Sequence, residues 1–361
     1  MKKKQLLTLL LFAFALLSYG TIPVPFNQKN ITYMGRIGME SNQYAELYWP
    51  GSSISINFKG TEIKGTFKNV KEETYFFVIV DGDDSNPVKI KPDTIKSTIV
   101  LAKGLKNKKH TLQVFKLTNN TTFSRFYGFE LADGSKILPA SPLPKRKIEF
   151  YGNSITAGHG VDVKAGNPDS GSSALFNNYW TYAARTARHY HSQYSCIARS
   201  GIGIMVSWFP EIMPEIYDRT NPDNPQSKWD FSKYTPDIVV INLFQNDSWI
   251  VKQPNNAQFK ARFGTTAPDE AFIIKSYQDF VKSIRSKYPK ASIICALGSM
   301  DATKEGSPWP GYVEKASKGL NDPKIYTYFF PFKNTPGHPI VAEQKVMADG
   351  LIKFIDEHIK W

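Results

Sequence analysis

Cysteine is scarce in this 361-residue chain: Cys196 and Cys295 stand alone, each inside an apolar run, "QYSCIA" and "ASIICAL". Such usage excludes a disulfide framework and lacks zinc-ligand spacing, so both are expected as buried thiols on separate core strands. A P-loop is absent, and "GIGI" (201–204) is too short and wrongly placed to be a dinucleotide fingerprint. Neither a metal nor a cofactor is therefore expected. Long apolar runs are missing after the first twenty residues. There, Lys2, Lys3 and Lys4 precede "LLTLLLFAFALL", with the small residues Ser18 and Gly20 near a plausible cut. This is the pattern of a signal peptide over residues 1–20, too short to span a bilayer. No cysteine near the cut offers a lipid anchor, so a secreted or periplasmic protein with no membrane span after signal removal is expected. The formal charge of +13 falls to 13 − 3 = +10 without those three lysines. The remaining lysines are scattered among Asp and Glu with no Arg-rich stripe, which indicates a solvated basic surface and no nucleic-acid partner. No internal repeat interrupts the chain.

Two periodicities divide what remains. Residues 21–140 alternate with period two: "SSISINF", "TEIKGTF", "YFFVIV", "STIVLA", "HTLQVFKL" and "SRFYGFEL" are separated by Gly, Asp, Asn and Pro turns. About eight short strands at that spacing predict an antiparallel β-sandwich of jelly-roll type. His110 falls at a strand entry and is expected to be structural. Pro139, Pro142 and Pro144 then stiffen a connector. Residues 141–361 alternate apolar strands with helices. The strands read "KIEFY" (147–151), "QYSCIA" (193–198), "DIVVINL" (237–243), "ASIICAL" (291–297) and "KIYTYFF" (324–330), and the helices include 178–191, 269–288 and 340–359, the last with Pro339 at its first turn. The pattern predicts a doubly wound, five-stranded parallel sheet, an α/β fold with ligands beyond the carboxyl ends of its strands.

Chemistry-bearing residues collect at those ends. Gly152-Asn153-Ser154 follows the first strand, Gly201 in "RSGIGI" the second, Asn246 in "FQNDSW" the third, and His338 in "KNTPGHP" the fifth. A hydroxyl, a glycine N–H, a carboxamide and an imidazole on one rim form the set that acyl transfer needs: nucleophile, oxyanion donors and base. Each alone is ordinary turn or cap chemistry; their joint occurrence at four of the five exits is the signal. Trp208, Trp249 and Trp309 also follow sheet exits ("VSWF", "DSWI", "SPWP") and offer indole faces for a saccharide.

"GNSIT…SGIGI…QND…GHP" resembles the block pattern of the SGNH (GDSL-like) hydrolases. With "YFFVIVDGD" and "GFELADGSKIL" in the preceding sandwich, the chain resembles carbohydrate esterase family two over nearly all of its mature length. The resemblance implies an acetyl xylan esterase-like serine hydrolase that removes acetyl groups from plant polysaccharide such as xylan and glucomannan, or its oligosaccharides. It implies Ser154 as nucleophile, His338 as base, and Ser154 N–H, Gly201 N–H and Asn246 as the oxyanion hole. Two departures stand out. Asn153 occupies a position usually held by Asp. Thr335 stands where an acid usually precedes the base by three residues, with none between Pro331 and Pro339. Either a distant carboxylate or a backbone carbonyl near Asn334–Gly337 orients the imidazole; the expectation is the carbonyl, and hence a Ser–His dyad. Alternatives are another acyl specificity on the same site (lipase, thioesterase or pectin deacetylase) and a carbohydrate-binding protein beside a decayed hydrolase.

Overall fold

The computed structural model describes residues 20–71 and 73–361; the expected signal segment, save Gly20, lies outside them. Among the described residues no helix is long and apolar enough to cross a membrane.

Period-two alternation folds as expected into two facing antiparallel sheets. Among the described residues each has six strands, short ones such as Ile31–Met34 and Lys136–Ile137 adding to the expected eight. Ser53–Gly60 and Lys108–Lys116 send Ile54, Ile56, Phe58, Leu112 and Val114 inward, where they meet Phe67, Phe126, Phe129 and Leu131 of the other sheet. His110 is buried between Asp81 and the Lys106 carbonyl, at 2.8 Å from each, a structural role.

Downstream, the parallel strands lie in the order Gln193–Ala198, Lys147–Gly152, Ile238–Asn242, Ser292–Leu297, Ile325–Phe329. Helices Tyr182–His189 and Val341–His358 cover one face, and Glu270–Lys287 and Trp309–Lys318 the other. The first strand is interior, second in the sheet, and pairs Gly152 with Ala198 on one side and Asn242 on the other. That register aligns three strand exits at one edge, the switch-point geometry of doubly wound sheets. The helix expected over 178–191 starts later: a 3₁₀ turn at Asn178–Trp180 precedes it, and Thr181 caps it by accepting from Ala184 N. The last helix opens at Val341, so Pro339 precedes its first turn. Cys196 and Cys295 are buried and unpaired on the second and fourth parallel strands.

The sandwich and the parallel sheet share a buried ionic cluster. Arg36 Nη2 donates to Glu149 Oε1 at 3.2 Å and to the Tyr151 hydroxyl at 3.0 Å, while its Nη1 donates to the Arg219 carbonyl at 3.3 Å. Glu149 also accepts from Ser195 Oγ (2.7 Å) and the Tyr288 hydroxyl (2.8 Å). Neither Arg36 nor Glu149 is exposed. Removing one partner of a buried pair strands the other's charge, so Arg36→Ala is expected to cost about 3–5 kcal/mol. Urea unfolding checks this, and a loss below about 1 kcal/mol, the value of an exposed pair, would show that water reaches Glu149.

Candidate active site

Apolar side chains carry the first strand to Gly152, and the chain then turns into a single helical turn, Ser154–Ala157. Asn153 caps it, its Oδ1 accepting from Ile155 N at 3.0 Å. Asparagine thus meets the geometric requirement of the position without a charge. The cap places Ser154 at the first residue of the turn, 5% exposed. Gln344, buried in the last helix, accepts from Tyr182 N (2.8 Å) and donates to the Ile155 carbonyl (3.0 Å). The serine turn is so fixed to the helix that follows His338.

His338 Nε2 lies 2.9 Å from Ser154 Oγ. On the ring's other side, Nδ1 lies 2.6 Å from Asp169 Oδ2. The expected carbonyl-oriented dyad is therefore corrected: a carboxylate, remote in sequence, faces the imidazole. The carbonyls of Thr335 and Pro336 are taken by Lys333 Nζ, at 2.9 and 3.2 Å. Thr335 itself bonds through its hydroxyl to Glu343, which also accepts from Ile340 N at 2.9 Å. The segment before His338 is thus closed on itself by a lysine and a glutamate.

Asp169 reaches the site from an irregular loop, and its Oδ1 accepts from Gly171 N at 3.1 Å. The hydrogen bond from His338 is the main influence holding its carboxyl well below the usual carboxylate range. An ionised carboxylate only accepts, so Nδ1 carries the imidazole proton and a neutral Nε2 accepts from the serine hydroxyl. This is the protonation pattern that a general base requires. Gly160 makes the close approach possible. With φ at +67°, a Cβ there would stand 2.8 Å from Asp169 Oδ2 and 3.1 Å from His338 Cβ. Beside the pair, His159 stacks on His338; burial, followed by the neighbouring imidazole, lowers its pKa to about 4.

The other two candidates are joined to each other. Gly201, at φ +84°, begins a loop whose Trp208 donates its backbone N–H to the Gly201 carbonyl at 3.0 Å. The Trp208 indole N–H donates to Asn246 Oδ1 at 3.0 Å, and Asn246 Nδ2 donates to the Ile202 carbonyl at 2.8 Å. Because an indole is only a donor, it fixes which end of the carboxamide is oxygen, leaving one amide hydrogen for an oxyanion. The adjacent Asp247 is buried and accepts from the N–H groups of Ile204, Met205 and Val206 at 3.1, 2.7 and 3.1 Å. Burial pushes its carboxyl up to about 6, against those donors. Sequence reasoning passed over Asp247 as a turn residue, although an acid next to Asn246 was in plain view.

The three tryptophans separate. Trp208 is 44% exposed beside Gly201 and Asn246. Trp249 is half-buried and donates its indole N–H to Asp301 Oδ2 at 2.7 Å. Trp309 is corrected: it is 3% exposed and packs edge-on against Phe244 in the core, so it offers no face to a saccharide. Its sheet-exit position starts a helix, and that turn buries it.

Two losses follow for hydrolysis of an aryl acetate. Asn246→Ala is expected to lower kcat by about 10²–10³, the usual effect of deleting one oxyanion donor. Trp208→Phe keeps a ring but loses the N–H, and is expected to cost about tenfold in kcat, roughly 1.4 kcal/mol. Steady-state kinetics check both; a Trp208→Phe loss confined to KM would mean that the indole contacts substrate without orienting the amide.

Comparison with known proteins gives the family. Residues 33–141 match the family model "Carbohydrate esterase 2 N-terminal". The structure of a family two carbohydrate esterase from Clostridium thermocellum, solved in complex with cellohexaose, is 31% identical. It aligns over 91% of this chain and 98% of its own with a TM-score of 0.79. The chain belongs to carbohydrate esterase family two. Family-two membership accounts for the two-part architecture, which the Clostridium thermocellum structure shares over 91% of this chain. The curated relative "Cellulase/esterase CelE" of Acetivibrio thermocellus is 32% identical over 92% of this chain, which spans only 40% of that protein's length. "Acetylxylan esterase / glucomannan deacetylase" of Cellvibrio japonicus is 23% identical over 95% of this chain and 92% of its own.

Proposed function

We propose that this family-two member is an exported serine esterase that removes O-acetyl groups from plant cell-wall polysaccharide, acetylated xylan or glucomannan, or from its oligosaccharides. The observation that carries the proposal is the continuous hydrogen-bond chain Ser154–His338–Asp169, with spacings of 2.9 and 2.6 Å at the carboxyl edge of the sheet. Ser154 Oγ attacks the acetyl carbonyl carbon while its proton passes to His338 Nε2. The carbonyl π pair moves to oxygen, where Ser154 N–H, Gly201 N–H and Asn246 Nδ2 donate to it. Collapse expels the sugar oxygen, which takes the proton from Nε2. Water, activated by the same imidazole, then releases acetate. Asp169 holds the ring and stabilises the imidazolium that forms in each half-reaction.

The acetylated-polysaccharide substrate is supported by the Cellvibrio japonicus relative's name and by the exposed indole of Trp208 beside the oxyanion donors. Export is supported by Lys2–Lys4 and the apolar run after them. A decayed hydrolase would rest on the missing acid and on Asn153; Asp169 facing His338 and Asn153 capping the serine turn support the working hydrolase instead. The test is acetate release from acetylated xylan and acetylated glucomannan in parallel. Release from either by wild type but not by Ser154→Ala supports the proposal. Hydrolysis of aryl acetates with no release from either polymer would assign the site to another acyl carrier.

A further inference from the structure

Asp169 serves two imidazoles. His159 lies just beyond the serine turn and stacks on His338 with ring centroids 4.0 Å apart and planes 17° apart. Its Nε2 is 3.4 Å from Asp169 Oδ1, the oxygen that His338 does not face. One ligand atom from each of His159, Asp169 and His338 lies within 4.8 Å of the others. Ester hydrolysis has no step for His159, yet its nitrogen is aimed at the carboxylate that orients the base. Two imidazole nitrogens and one carboxylate oxygen, with a fourth position open to water, match the donor set zinc prefers and magnesium or calcium avoid.

We propose that His159, Asp169 and His338 form an inhibitory site for zinc, whose binding removes the base from catalysis. The inference rests on the esterase reading of Ser154 and His338 given above. Ligand atoms at about 2.0–2.1 Å from a tetrahedral zinc stand about 3.3–3.4 Å apart. His159 Nε2 stands 3.4 Å from Asp169 Oδ1 and His338 Nδ1 stands 2.6 Å from Oδ2. To bind zinc, the carboxylate turns one oxygen toward both nitrogens and the stacked imidazoles, 17° apart, splay until each ring plane contains the ion. The side chains are 19, 12 and 19% exposed for His159, Asp169 and His338, so an ion reaches them without unfolding. Asp169 and His338 also line a cavity of about 530 Å³ between residues 163–169 and 335–343, which supplies an entry path. No electron is transferred. Zinc accepts a lone pair from His338 Nδ1, from His159 Nε2 and from one Asp169 oxygen. Each imidazole keeps its single proton, relocated through solvent to the nitrogen away from the metal. For His338 that nitrogen is Nε2, which is then unable to take the serine proton.

Calorimetric titration of chelator-treated Ser154→Ala with zinc chloride tests the site without reference to activity, because that variant keeps all three ligands. One zinc per chain is expected, with no heat of binding from magnesium. Adding His159→Gln, which keeps size and polarity but removes the ligand, is expected to weaken zinc affinity at least about tenfold. His358→Gln, on the last helix, is expected to leave it unchanged. In the chain with Ser154 intact, zinc is expected to inhibit aryl acetate hydrolysis, and His159→Gln to raise the inhibiting concentration by the same factor. Equal zinc affinity with and without His159, or no stoichiometric binding, overturns the proposal. Zinc binding through His159 in a chain that hydrolyses no ester would leave the site standing and remove the esterase reading instead.

Discussion

Ser154→Ala is expected to reduce kcat for acetyl ester hydrolysis by about 10⁶, the scale found when a serine nucleophile is deleted from an intact catalytic set. The hydroxyl is nearly buried and its one-turn helix is fixed by Asn153 and Gln344, so alanine should leave the fold unchanged. What remains would come from the oxyanion donors and binding. Because nucleophile and base act as a unit, adding His338→Ala to Ser154→Ala should cost little more than either alone. Steady-state rates of the two single variants and the double variant check this. Additive losses would mean that residues 154 and 338 serve separate steps.

Asp169→Asn should lower kcat by about 10³–10⁴ with KM little changed. The amide fills the same space but presents N–H to Nδ1. The imidazole proton then sits on Nε2, and the ring faces Ser154 Oγ as a donor. Asp169→Ala would open space and lose the orientation altogether, so the isosteric variant is the cleaner probe. A loss below about tenfold for Asp169→Asn would restore the backbone-carbonyl dyad as the working arrangement. The same comparison separates Asp169 from a merely structural acid, which would shift the unfolding midpoint and leave kcat alone.

Much of the site was legible in the sequence because a parallel sheet sends every strand exit to one edge. Once five apolar strands were recognised, Ser154, Gly201, Asn246 and His338 had only one edge to occupy, and the register of Gly152 with Ala198 and Asn242 brings their loops together. Asp169 was not legible. It lies in the irregular stretch "GNPDSGSS", where no period marks position, so the sequence leaves a distant carboxylate open as the orienter without pointing to a residue. The glycines were the available clue: Gly160 and Gly337, both with positive φ, leave the room Asp169 occupies, yet in sequence they are ordinary turn residues. Trp309 failed for a related reason. Its exit position was right, but a helix begins there, and side-chain direction on a helix is set by packing that one sequence does not display. The Arg36–Glu149 cluster was equally hidden, since its partners lie 113 residues apart, Arg36 in a bend of the sandwich and Glu149 on a strand of the parallel sheet.

The central claim is that Ser154 takes the acetyl group itself. Rapid acid quench of the enzyme with excess aryl acetate, followed by peptide mass analysis, tests it most directly. One acetyl group on the peptide carrying Ser154, absent from Ser154→Ala and accumulating further when water attack is slowed, is the predicted result. Acetate released at full rate while Ser154 stays unmodified, or an acetyl group trapped on another residue, would contradict the account.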